Sequence, residues 1–372
     1  MSHSGGDRAG VRVALPEGWV ELQPAATEAQ VGGEVVQLAT LARWAGRVVR
    51  PTMSVTVTPT TAEPIAARVL ADAQARVPGV HVMAIDPWRV DGVAATGRRL
   101  AFTHLVGDVS VTTLVWALTT ASGDVMVTAR SEDSELHLHD PAFAEAVAGI
   151  RLPDATSSGG HEGGDLTGPD EQADLVERVV VPGWSPAGTG AGTSIVADPH
   201  ARILVEASVG RTSLRFDATL ARDVATVSAT ASPRALAAPG EPPDATTAAT
   251  STFRVPSTRL ASTIAQWIGL GPARPTMQAL TLPLSLVMSR LLDPRLPVPD
   301  GMDAVTWAQP WFLWTVRSSA TDSGLVVVDT AGTGQVAVME GPDEQTTRFS
   351  PLSSYNVWLT LAWLVNQSLV RR

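Results

Sequence analysis

Residues 311–318, WFLWTVRS, lead into LVVVD at 325–329 and QVAVME at 335–340, and this series decides the fold. Each run is short, apolar and rich in β-branched residues, with turn formers between them, so the three read as a meander of strands. The series closes at Phe349-Ser350-Pro351, after which Ser353–Leu369 has the spacing of a helix with an apolar face. The same order occurs earlier in the chain. Strands are expected at Ile203–Val209, Leu214–Leu220 and Val224–Ala229, followed by Phe253-Arg254-Val255-Pro256 and a helix over Ser257–Leu270. Laying Pro256 on Pro351 sets Leu260, Ile264 and Ile268 over Tyr355, Leu359 and Trp363. A three-strand meander followed by a helix is therefore read twice. Between the copies, Leu282–Leu292 reads as a further apolar helix beginning near Pro283.

Working outward, residues 153–173 are rich in Gly, Ser, Asp and Pro and have almost nothing to bury, so they read as a flexible linker. This divides the chain into a first domain over 1–152 and a second over 174–372. A second polar stretch, Ser232–Thr252, reads as a long loop inside the second domain. In the first domain, strands are expected at Glu34–Trp44 and Pro51–Thr58, and an amphipathic helix over Pro64–Val77. Four more strands follow, at Val80–Ile85, Gly92–His104, Val109–Thr119 and Asp124–Arg130, joined by Asp91-Gly92, Val106-Gly107-Asp108 and Ser122-Gly123-Asp124. A last helix is expected to start at Asp140-Pro141 and bury Phe143, Val147 and Ile150. The fold class is α+β, with antiparallel sheets and helices packed on them.

Composition removes whole classes of chemistry. All 27 basic residues are Arg, and there is neither Lys nor Cys. Schiff-base chemistry, P-loop and kinase phosphate lysines, thiol nucleophiles and zinc–thiolate sites are excluded. A net charge of −10 disfavours nucleic acid and anionic membrane as partners. No run of 18 uncharged apolar residues occurs and the first residues lack a signal-peptide core, so membrane insertion is not expected and a cytoplasmic location is. No cofactor is expected.

The remaining motifs are weak. His137 and His139 would share one face of an extended segment with Glu135, a spacing that some metal sites use, or would belong to a polar loop leading to the Asp140 cap. Gly188-Thr-Gly190-Ala-Gly192 lacks both dinucleotide spacing and a following helix. Gly332-Thr333-Gly334 suits a hairpin. His81, His104, His161 and His200 form no pattern with a nucleophile.

Tryptophan is the surplus that wants a reason. Seven of eleven follow the linker, and Trp307, Trp311 and Trp314 cluster with Phe312. On a strand, Trp311 points away from Phe312 and Trp314, so both faces carry large aromatics. Either helices cover both faces, or Trp311 is an exposed anchor for a partner, with Arg317 at its rim.

The first domain, over about 11–152, resembles the PsbP-like fold of LpqN-type proteins. The resemblance rests on Leu15-Pro16-Glu17-Gly18-Trp19, the strand Val111–Leu118 with Trp116, and the strand–acidic loop–helix unit Val125–Ile150. It implies a binding or scaffolding domain. The second, over about Val176–Leu369, resembles the EspG family of type VII secretion chaperones. It rests on Trp314-Thr-Val-Arg317, Leu325–Thr330, Gly332-Thr-Gly334 and the strand-to-Pro-to-helix endings. That resemblance implies a quasi-two-fold sheet flanked by helices and a non-catalytic chaperone or adaptor for a helical secreted protein, with Trp307, Trp311, Trp314 and Arg317 as partner-binding residues. The alternatives are a structural component of a secretion or envelope machine, and a metal-dependent hydrolase built on His137 and His139.

Overall fold

The computed structural model describes residues 10–23, 33–44, 48–90, 96–120, 123–152, 169–180, 184, 198–237, 250–273, 279–330, 335–340 and 345–370. The linker residues 153–168, His161, the glycine run from Gly188, and Gly332–Gly334 lie outside them. The chain divides into two compact units. One holds Met1–Val106, Val111–Glu132 and Leu136–Val179; the other holds Gly107–Ser110, Asp133–Glu135 and Val180–Arg372.

The first unit contains β1 (Trp19–Leu22), β2 (Glu34–Leu41), β3 (Thr52–Thr58), α1 (Ile65–Arg76), β4 (His81–Arg89), β5 (Thr96–Val106), β6 (Val109–Thr120), β7 (Gly123–Glu132), α2 (Leu136–Ala148) and α3 (Pro169–Glu177). Its seven strands lie in the order β1-β2-β3-β7-β6-β5-β4. Alternation along the strands sets Leu100, Phe102, Val115, Ala117 and Met126 against Ile65, Ala66, Val69 and Leu70 of α1, forming one apolar core. Gly123, at φ 145, opens β7 where an added Cβ would stand 2.9 Å from the Thr58 carbonyl oxygen. Only glycine fits there. The edge strand β4 carries a bulge between Val82 and Ala84 and has Pro87 within it, both of which discourage further strand pairing.

Three departures from the sequence reading have physical causes. β1 is an added edge strand, paired with β2 from Trp19↔Leu41 to Leu22↔Leu38. Helix α2 begins at Leu136, ahead of Asp140-Pro141, so Pro141 lies within it. A helix loses a single N–H at an early proline, and burial of Leu136 and Phe143 is enough to hold that turn. Finally, the linker's end is helical: α3 extends the first unit to Val179, because Leu175 is 2% exposed within the α1 core.

The second unit contains β8 (Ala201–Val209), β9 (Thr212–Leu220), β10 (Val224–Ala229), α4 (Pro233–Ala237), β11 (Ser251–Pro256), α5 (Leu260–Ile268), β12 (Leu280–Pro283), α6 (Leu284–Leu292), α7 (Ala304–Ala308), β13 (Phe312–Ser318), β14 (Gly324–Asp329), β15 (Gln335–Glu340), β16 (Thr346–Leu352) and α8 (Ser354–Leu369). Nine strands form one sheet, ordered β11-β10-β9-β8-β13-β14-β15-β16-β12. Each expected meander is present and gains a fourth strand, because Phe253–Pro256 and Phe349–Pro351 pair into the sheet. The halves meet where β8 and β13 run antiparallel, from Leu313↔Ser208 to Ser318↔Ile203. That is the quasi-two-fold arrangement.

The helices after each half pack on each other and cover the face lined by Val205, Phe216, Val227, Trp314 and Val316. Their buried stripes coincide when Ser257, Leu260, Ala261, Ile264, Ala265, Trp267 and Ile268 are laid on Ser354, Val357, Trp358, Leu361, Ala362, Leu364 and Val365. This is two residues along from the match made on the prolines. The 3-10 turn over Ser257–Arg259 follows Pro256 at once, whereas Leu352 and Ser353, whose side chain accepts from the Asn356 N–H, separate Pro351 from α8, so the second proline lies two residues farther from its helical stripe. α5 stops at Gly269, whose φ of 72 lets the Leu270 N–H reach back to the Ala265 carbonyl at 2.8 Å.

Leu175→Ala is expected to cost the first unit about 2–5 kcal/mol. Hydrogen exchange along α1 would show the loss, and unchanged α1 protection would mean that α3 adds nothing to that core.

Candidate functional site

In the second unit the segment between the two halves folds over one face of β13, β14, β16 and β12. Register places Leu313 opposite Val328, Val338 opposite Phe349, and Phe349 opposite Leu280. These residues form an apolar bed on which Val287 and Leu291 of α6, Met302, Trp307 of α7 and Trp311 are packed. The Trp307 and Trp311 rings meet edge to face, 5.1 Å between centroids. Arg290 of α6 lies over both, at 5.4 and 5.1 Å, and is buried. Its guanidinium donates through Nε to the Trp307 carbonyl at 3.1 Å and through Nη2 to the Gln309 carbonyl at 2.6 Å. Burial lowers the Arg290 pKa, partly offset by Asp293, yet the group stays charged at any physiological pH. Trp307 Nε1 donates to the Leu296 carbonyl at 2.7 Å and Trp311 Nε1 to that of Thr306 at 2.9 Å.

α7 is short and depends on its cap. The Asp303 carboxylate accepts from the Thr306 N–H at 2.7 Å. Hydrogen bonding from Thr306 holds the Asp303 pKa below the ordinary carboxylate value.

Of the four residues singled out in the sequence, Trp307, Trp311 and Trp314 are buried, at 2%, 4% and 0% exposure. Trp311 is therefore not an exposed anchor: α6 and α7 cover its side of the sheet. Trp314 lies on the opposite face, and its Nε1 has no hydrogen-bond partner among the described residues. Arg317 is exposed and faces Glu206 on the neighbouring β8, with 3.4 Å between Nη2 and the carboxylate. The apolar surface instead lies above the tryptophans. Leu284, Met288 and Leu292 stand one turn apart on the outer side of α6, at 41%, 48% and 54% exposure, and Val305 of α7 is 60% exposed. The clue in the sequence was an excess: Leu284, Leu286, Val287, Met288, Leu291 and Leu292 exceed what one buried face accommodates.

His137 and His139 do not share a face. Both lie in α2, where residues two apart point roughly 200° from each other. His139 instead approaches the Phe143 ring one turn on, at 6.3 Å. Among the described residues no group of three or more His, Asp or Glu is placed to hold a metal ion.

The first unit contains a cleft of about 270 Å³ between α1 and the sheet. Val69, Asp72, Ala73, Arg76 and Val77 of α1 form one wall. Phe102 and His104 of β5, Thr113 and Val115 of β6, and Met126, Thr128 and Arg130 of β7 form the other. Thr113 is paired with Arg130 and Val115 with Thr128, so those side chains share a face. All three strands change in the same sense, from Phe102, Val115 and Met126 to His104, Thr113 and Arg130. Asp72 is paired with Arg76 at 2.6 Å. Arg130 has no carboxylate partner among the described residues, and desolvation lowers its pKa. Desolvation, and then the Arg130 charge, hold the His104 pKa below that of a free imidazole. The His104 Nδ1 is buried without a hydrogen-bond partner among the described residues. From sequence alone His104 was an ordinary strand residue, because nothing local signals that α1 crosses above it.

No protein-family model matches this chain, and no curated protein matches it. Solved structures are similar to part of it, among them the following three. Protein PA94 of Pseudomonas aeruginosa, of unknown function, is 14% identical and covers 36% of this chain and 96% of its own, with a TM-score of 0.29. LpqN, involved in cell envelope biogenesis of Mycobacterium tuberculosis, is 14% identical over 38% of this chain and 83% of its own, with a TM-score of 0.30. Cyanobacterial PsbP from Synechocystis sp. PCC 6803 is 12% identical over 41% of this chain and 98% of its own, with a TM-score of 0.29.

Two outcomes follow from the platform chemistry. Arg290→Met leaves the Trp307 and Gln309 carbonyls without their donor and should cost about 1–3 kcal/mol, read from denaturant unfolding followed by tryptophan fluorescence. For Asp303, a folded pKa below the unfolded value of about 3.9 means that its contribution is complete above that value. It is lost as pH falls through the folded pKa. Exchange protection of the Thr306 amide should fall in acid in the parent protein and stay level in Asp303→Asn, which keeps the cap without the titration.

Proposed function

We propose that this chain is a non-catalytic chaperone or adaptor that holds a helical, aggregation-prone protein. The observation that supports it is the outer side of α6, where Leu284, Met288 and Leu292 form a continuous apolar ridge on a rigid bed. A ridge repeating every four residues matches the recognition mode in which one amphipathic helix lies along another. The buried Arg290–Trp307–Trp311 group fixes the ridge from below, so little ordering free energy is lost when a partner docks.

In its finer form the reading is a cytoplasmic chaperone for type VII secretion-like substrates. The support is the sequence resemblance of about Val176–Leu369 to the EspG family, carried by Trp314-Thr-Val-Arg317 and Leu325–Thr330, together with an acidic chain free of lysine and cysteine. Arg317 and Glu206 then supply rim contacts, of small energetic weight because both are solvated. Of the alternatives, a scaffold in a secretion or envelope machine would use the same ridge but would not release its partner. The metal-dependent hydrolase reading has lost the shared histidine face that motivated it.

The tagged full-length protein should capture a small helical secreted protein from its own host, identified by mass spectrometry. Met288→Arg should weaken that complex by more than about 2 kcal/mol while leaving the fold intact by circular dichroism. Undiminished capture by a folded Met288→Arg, Leu292→Arg double variant would refute the ridge as the docking surface. Recovery of large machine components in a non-exchanging complex would favour the scaffold.

A further inference from the structure

The cleft under α1 belongs to the other unit and stands on separate observations. Its volume of about 270 Å³ is near the small end of ligand pockets, and its lining is graded. One end is apolar, with Phe102, Val115, Met126 and Val69. The other gathers an imidazole, two threonine hydroxyls and a guanidinium within reach of one another. The charges at that end do not cancel. Asp72 and Arg76 of α1 are paired with each other, which leaves the positive charge of Arg130 facing the cleft beside a neutral His104. Arg130 is solvent-exposed at this end and has no carboxylate partner among the described residues, so its guanidinium is open to an entering anion, and a carboxylate seated on it makes charge-assisted hydrogen bonds.

We infer that this cleft binds a small amphipathic carboxylate, its apolar body on Phe102, Val115 and Met126 and its carboxylate on Arg130. Thr113 and Thr128 are placed to donate their hydroxyls to the same carboxylate, and Asp72 is held off by Arg76. The guanidinium fork suits a planar carboxylate, and the threonines lie on the same sheet face as Arg130. A seated anion would also favour the imidazolium form of His104, so binding should tighten as the pH falls toward 6. The other charged groups that face the cleft are Arg130, Asp72 and Arg76.

The test is calorimetric titration of the full-length protein with octanoate, with 1-octanol and with inorganic phosphate. Octanoate should bind saturably, and octanol and phosphate at least tenfold more weakly, since each lacks one half of the match. Arg130→Gln should weaken octanoate at least tenfold and leave octanol unchanged. Ala73→Met, which fills the cleft from α1, should weaken both, with an unchanged melting profile showing that the unit is folded. Saturable octanoate binding that neither variant alters would overturn the site. Equal binding of octanoate and octanol would overturn the role of Arg130, and phosphate as tight as octanoate would overturn the apolar half. Failure of octanoate to bind at millimolar concentration would overturn the inference itself. None of these results bears on the α6 ridge.

Discussion

The antiparallel contact between β8 and β13 is the constraint on which the second unit depends. Each half supplies four strands and a helix, and such a half would leave its innermost strand without a partner on one side. Joining the two innermost strands removes both edges at once and makes the sheet continuous. It also brings α5 and α8 onto the same face, where their buried stripes close over Phe216, Trp314 and Val316. That burial of two helix faces and a sheet face is the dominant stabilising contribution, and it requires register to be kept across the join.

The halves are alike on the face the helices share and unlike on the other. Over β8 and β9 the second face carries Arg202, Glu206, Arg215 and Asp217, with Arg202 donating to Asp217 and lowering its carboxyl pKa. Over β13 to β16 and β12 the corresponding face is apolar around Leu313, Val328, Val338 and Phe349, where the inserted α6 and α7 cover it, while Arg317 and Val326 on the same face stay exposed. The insertion explains why both sides of the WFLWTVRS region are aromatic. One tryptophan serves the shared helical core, while Trp311 serves the inserted layer with Arg290 and Trp307.

Much of the fold was legible because it rests on local pattern. Alternation in β8, β9, β10 and β13, and the apolar spacing in α1, α5 and α8, fix one face apiece, and the duplicated order could be seen from turns and prolines. The pairing of Phe253–Pro256 and Phe349–Pro351 as fourth strands could not be seen, since pairing is a non-local choice. Nor could the start of α2, where tertiary burial of Leu136 outweighed the proline signal. The candidate sites were less legible still. A cluster of tryptophans says that large apolar groups must be buried somewhere, but not what lies above them. Arg290 is one more arginine in an apolar helix until Trp307 and Trp311 are brought under it, and His104 gains its setting only from a helix that precedes it by some thirty residues.

The central position of β8 also has a cost in time. Its partner strand begins at Phe312, 103 residues after β8 ends at Val209. At ordinary rates of synthesis that interval lasts roughly 5–20 s. For that long the emerging chain presents a finished half-sheet with an open, hydrogen-bond-hungry side and an uncovered apolar helix. On a crowded ribosome cluster, neighbouring nascent chains would each offer the complementary edge. A protein built in this way favours slow initiation and well-spaced ribosomes, a demand written into its topology and invisible in the finished molecule.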